Sequence, residues 1–205
     1  METRTSPFLP ALQLSVALFA TAPDAAAALH AALLGAAKAA PEAQARMRYA
    51  CLDASTLVSR AHIDVALDAA ALALAHGTQR CHTREAEVVF RIAAGNNIGD
   101  ALRTFGLSPT STHVLLVHLG PAPADGGRSA DAQLAHMQAL LPGAELLPLE
   151  QLGAPHIVDW ARVRKAYKLR DLGAGSDTND AALQRRIRAR EIDCVVGAVA
   201  CKAVM

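Results

Sequence analysis

Thr112 to Leu119, THVLLVHL, is the clearest strand in the chain. Its Val- and Leu-rich run has no helical period, and strand backbone groups need partners, so the segment commits the chain to a sheet. Residues 11–20, with Leu14, Val16, Leu18 and Phe19, read as a second buried strand. Tyr49 to Leu52 and Glu145 to Leu147 read as two short ones. Between them lie helices with recognisable ends. Asp24 is placed to cap a helix through about Lys38, closed by Pro41. Ser59 caps a long helix to His76, with Ile63, Leu67, Ala70 and Leu74 as its buried face, and Gly77 fits the left-handed position past its end. Thr83 caps a third, with Glu85 and Glu87 near its positive end. After a break at Ala94-Gly95-Asn96, Asn97 caps a short helix through Phe105, which Gly106 ends.

Ser129 opens a further helix to Leu141. His156 to Leu169 predicts one helical segment, and Asp180 to Ala203 another, separated by a flexible turn at Gly173 to Ser176. Asp193 to Val196 fits a strand as well as a helix, because Gly197 weakens a helix there. The order of elements predicts a mixed α/β (α+β) fold, a small central mixed sheet packed with several helices and a helical C-terminal region. A single domain spans residues 1–205, with residues 1–10 and the Pro/Gly-rich stretch 121–128 as its flexible parts.

Composition narrows the function classes. Apolar residues are 52% of the chain but aromatics only 3%, so Ala and Leu carry the apolar count. A formal charge of +1 gives no global pull toward nucleic acid or membrane, so any RNA binding must come from a local patch. Leu14 to Ala20 is too short to span a bilayer, and Glu2 beside Arg4 weakens a signal-peptide reading, so strand followed by helix is preferred. Cys51, Cys81, Cys194 and Cys201 show no CxxC spacing, which points to free thiols in a reducing compartment.

Catalytic motifs are missing: there is no P-loop, GxGxxG, GxSxG or HExxH, and the eight histidines are scattered. No metal, cofactor or catalytic residue is expected. Cys81-His82 leaves a small thiol-dependent enzyme as a minor alternative. Three features invite binding instead. The loop Gly95, Asn96, Asn97, Ile98 opens a helix whose unpaired amides suit a phosphate and whose asparagines suit base edges, although a plain turn and N-cap explain it as well. Arg164, Lys165 and Lys168, in a block with Arg162 and Arg170, share one side of a helix and could track RNA phosphates, or form a solvated face. Val163, Tyr167 and Leu169, with Val195, Val196 and Val199, could present an apolar patch to a partner, or pack a core.

Two blocks then carry a resemblance. In RCHTREAEVVFRIAAGNNIGDALRTFGL, from Arg80 to Leu107, the residues Thr83, Glu87, Val88, Val89, Phe90 and Ile92 match one half of a family motif. Asn96, Asn97, Ile98, Ala101, Leu102, Phe105, Gly106 and Leu107 match the other, with Asp100 in place of a glutamate. Val163 to Leu169, VRKAYKL, is a second block, and Ile192-Asp193, the valine pair and Lys202 follow it. The sequence resembles the kinase-binding subunit of the KEOPS/EKC complex, the PRPK-binding protein family. Arg84 and Ala94-Gly95 depart from the motif.

The resemblance implies a non-catalytic subunit that docks on the kinase-like ATPase and, through it, works with the threonylcarbamoyl transferase subunit. It implies support of threonylcarbamoyladenosine modification of tRNA, in nucleus and cytoplasm, with no membrane partner. Holding the unpaired 3′ end of tRNA is implied for the asparagine loop. A stand-alone RNA-binding protein is the alternative.

Overall fold

The computed structural model of the chain describes residues 1–36, 38–40, 44–45, 47–169 and 181–204. Pro41, Arg170, Asp180 and the turn expected at 173–176 lie outside them. The strands are β1 (Glu2–Ser6), β2 (Leu9–Ala20), β3 (Ala50–Asp53), β4 (His113–Pro121) and β5 (Glu145–Leu147). The helices are α1 (Pro23–Ala36), α2 (Arg60–Ala75), α3 (Arg84–Ile92), α4 (Ile98–Phe105), α5 (Ala130–Leu140), α6 (Trp160–Tyr167) and α7 (Ala181–Val204). Single 3₁₀ turns at Ala54–Thr56, Pro123–Asp125 and Leu149–Gln151 join them. The α/β mixture is as expected, but every strand pairing is antiparallel, so the sheet itself is not mixed.

The sheet order is β1-β2-β4-β3, with β5 also on β2. β2 is long enough to hold β1 along its first half, Glu2 opposite Val16, and β5 at its end, Ala20 opposite Glu145. Residues 1–10, expected to be loose, are thus mostly a strand hairpin. Their backbone finds partners on the one edge of β2 that β4 leaves open.

Because side chains alternate across a sheet, β2 and β4 each feed two cores. Leu14, Val16, Leu18, Leu115, Val117 and Leu119 face one core, covered by α2, α3, α4, α6 and α7. Ala17, Phe19, Val114 and Leu116 face the other, covered by Ala26 and Leu29 of α1 and Met137 of α5. Helices on both faces explain why β4 reads as an unbroken apolar run rather than an alternating one.

Helix ends follow local chemistry. Ser59, Thr83, Asn97 and Ser129 are N-caps whose side-chain oxygens accept from first-turn amides. Gly77 has φ +65, the left-handed conformation that glycine adopts without strain. The segment from His156 is helical only from Trp160, where the Asp159 carboxylate accepts from Ala161 N at 3.0 Å and Arg162 N at 3.1 Å. Residues 192–201 are helix, inside α7, because Val195 and Val199 recur at helical spacing on its buried side.

Candidate functional site

The asparagine loop, Ala93 to Asn97, joins α3 to α4 and stands at the surface. Gly95, Asn96 and Asn97 are exposed and Ile98 is half-buried. Asn97 Oδ1 accepts from Gly99 N at 2.8 Å and Asp100 N at 3.3 Å, so its oxygen is taken by the cap of α4. Asp100 in that first turn pairs with Arg103 at 3.1 Å, which offsets the negative charge it would show an approaching phosphate. Among the described residues no hydrogen bond engages the Asn96 side chain.

Three buried polar groups hold the loop from beneath. Tyr167 Oη donates to Ile92 O, at the end of α3, and accepts from His62 Nε2 at 2.7 Å. His62 Nδ1 in turn accepts from Val58 N at 3.4 Å, which makes the ring a neutral imidazole with its proton on Nε2. Full burial lowers the His62 pKa to about 4, and burial raises that of the Tyr167 phenol. Lys202, from the last turn of α7, donates to Phe90 O at 2.5 Å, Ala93 O at 3.0 Å and Gly95 O at 2.6 Å. Upstream, the fully buried Glu87 carboxylate accepts from Arg80 N at 2.8 Å, Cys81 N at 2.9 Å and Arg91 Nε at 2.7 Å. The matched glutamate therefore folds the turn before α3 onto the helix.

A cleft of about 430 Å³ opens beside the loop. Gly95, Asn96, Asn97 and Thr104 line one wall, and Ala166, Tyr167 and Lys168 line the other. The two sequence blocks, some seventy residues apart, thus meet in one concavity. Lys168 reaches it because it is not in α6: it caps the helix with φ 57, a left-handed conformation rare for a side-chain-bearing residue.

That turn corrects the expected basic row. Lys168 leaves the helix for the cleft, Lys165 is exposed, and Arg164 pairs at 2.6 Å with Glu191, a fully buried carboxylate that Arg188 also holds at 2.8 Å. Arg162 is structural as well, with Nη1 at 2.7 Å from Asp53 Oδ2 and Nη2 donating to Thr104 O at 3.1 Å. Block VRKAYKL is thus half clamp, half surface.

The apolar patch is corrected more strongly. Val163, Tyr167, Leu169, Val195 and Val199 are all buried in the core that faces α2 and α3. A helix turned toward the core, here α7 against α2 and α3, hides the very stripe that sequence alone cannot distinguish from an interface. Val196 is the exception: half-buried, and outside that core.

The thiol alternative finds poor chemistry. Burial, then the nearby Glu87 carboxylate, pushes the Cys81 thiol up to about 11, and burial pushes Cys51 up to about 12. Thiolates are scarce there at neutral pH. Among the described residues no group of three or more His, Cys, Asp or Glu could hold a metal ion, and no helix is long and apolar enough to cross a membrane. A second, larger concavity of about 580 Å³ lies between α1, α3 and α4, with Leu33, Leu34, Met47, Tyr49 and Leu102 in its lining. Neither predicted block contributes the basic or asparagine residues to it.

Fold and cleft together define the class: a single-domain α/β protein whose buried polar groups hold backbone, leaving a loop-lined cleft at the surface. Residues 24–203 match the family described as Kinase binding protein CGI-121, and the chain belongs to that family. It is 32% identical over its full length to a protein of Gibberella zeae named EKC/KEOPS complex subunit CGI121, covering 99% of that protein. A namesake from Aspergillus fumigatus is 32% identical over 65% of this chain and 68% of its own. One from Coccidioides immitis is 33% identical over 62% of this chain and 59% of its own, less than two thirds of that relative's length.

Proposed function

We propose that this chain is a non-catalytic subunit of an EKC/KEOPS complex, which binds the complex's kinase-like ATPase and thereby supports threonylcarbamoyladenosine modification of tRNA. Membership of the kinase-binding family, together with full-length similarity to a named subunit of that complex, is the observation that carries this. The threonylcarbamoyl transferase is reached through the kinase-like subunit, and the protein works in nucleus and cytoplasm. No cofactor is required.

The docking face is the outer side of α7. Val196 sits on its flank, half-buried and outside the core. A hydrophobic side chain that its own core does not use suits an interface anchor. Co-expression with the kinase-like subunit of the same organism and affinity purification test it. Val196→Arg in a chain with unchanged circular dichroism abolishes co-purification. If the unaltered chain and the kinase-like subunit purify separately, the function is wrong; if only Val196→Arg is harmless, the face is misplaced.

The cleft beside the asparagine loop holds an unpaired RNA 3′ end. Asn96 offers base-edge hydrogen bonds, and Lys168 with Lys165 offers phosphate charge. Binding of a short single-stranded RNA ending in CCA, weakened by Lys168→Ala and by salt, is the expected result. A chain that shows no binding at low salt would remove this reading while leaving the kinase-binding one intact.

A further inference from the structure

The asparagine loop has little of its own to hold it in shape. Among the described residues no backbone–backbone hydrogen bond outside the helices engages residues 94–96. Gly95 adds backbone freedom, and no side chain would collide with a Cβ there. Yet one side chain from the far end of the sequence gathers the loop. Lys202 is buried, with all three ammonium donors used on three converging carbonyls: Phe90 O at 2.5 Å, Ala93 O at 3.0 Å and Gly95 O at 2.6 Å. The first two lie at the C-terminal end of α3, where the helix dipole favours a cation. The Phe90 ring lies against the ammonium, 3.6 Å from its centroid. Glu87 is already engaged by Arg91 at 2.7 Å, so its carboxylate does not draw the ammonium off the carbonyls.

We propose that Lys202 is a positioning residue: its three-carbonyl clasp sets the geometry of the asparagine loop on which a single-stranded RNA end binds. This rests on the RNA reading of the cleft given above. The clasp is separable from the fold, because Val195 and Val199 keep α7 on the core whether or not Lys202 is there. Without it the Gly95 carbonyl is released, and the loop visits its binding geometry only part of the time. A loop competent for a tenth of the time binds about tenfold more weakly.

Affinity for a short RNA ending in CCA is measured by fluorescence anisotropy for the unaltered chain, Lys202→Met and the milder Lys202→Gln, which keeps two donors. Thermal melting and co-purification with the kinase-like subunit are measured on the same samples. Leu116→Ala, in the opposite core, serves as a control destabilised without touching the loop. The expected result is about tenfold weaker RNA binding for Lys202→Met and a smaller loss for Lys202→Gln. Kinase association is retained, and RNA affinity in Leu116→Ala is unchanged. Either folded Lys202 variant binding as tightly as the unaltered chain overturns the proposal, as does an equal loss in Leu116→Ala. If the unaltered chain does not bind the RNA, the cleft's RNA role falls and this inference falls with it.

Discussion

Tyr167→Phe separates packing from partner binding at one residue. The substitution keeps the ring and its contacts with His62 and Phe105, whose centroids lie 5.6 Å and 5.7 Å away, and removes only the hydroxyl. That hydroxyl donates to Ile92 O and accepts from His62 Nε2, so two buried groups lose their partner at once. Each orphaned buried polar group costs about 1–3 kcal/mol, and the pair about 2–6 kcal/mol. At roughly 2–4 °C of Tm per kcal/mol for a domain of this size, the melting point falls by about 4–24 °C. Urea denaturation with the slope held against the unaltered chain reads the same loss as a lower midpoint. A hydrophobic anchor exposed to a partner would lose nothing by this change, and association with the kinase-like subunit is expected to persist. A variant as stable as the unaltered chain, within about 0.5 kcal/mol, would refute the buried network.

Further outcomes follow from the same geometry. His62 is neutral when folded, with a pKa near 4 against about 6.5 unfolded, so the unfolded state binds the extra proton between those values. Stability is therefore full above pH 6.5 and falls as pH drops toward 4, by up to about 3 kcal/mol from this ring. In His62→Gln the pH dependence of the urea midpoint flattens; an unchanged slope would count against the assignment. Thiol labelling at pH 7.4 modifies the exposed Cys194 and Cys201 first, and leaves Cys51 and Cys81 slow, as peptide mapping over time would show.

Helix ends were legible in the residues themselves, because a cap is a contact between neighbours. Ser59, Thr83, Asn97 and Ser129 each bond an amide two or three positions on, and no tertiary information enters. Asp159 escaped because the apolar residues before it, Ile157 and Val158, continue the helical pattern, although they are core residues of a loop. The second strand was legible from its apolar run, and the family from two spaced blocks. What local pattern could not supply was direction.

The residues alone determined the alternation of strand and helix, the capped ends, and the pairing of Glu87, Asn96 and Asn97 with a known motif. The tertiary structure decided which side of each helix meets the core. It buried Val195 and Tyr167 and left Val196 outside, and it turned Lys168 away from Arg164 into the cleft. It also carried Lys202 to a loop more than a hundred positions earlier. Those outcomes depend on long-range packing, in which a buried charge is tolerated only where distant carbonyls or carboxylates converge on it, and no window of sequence contains that convergence.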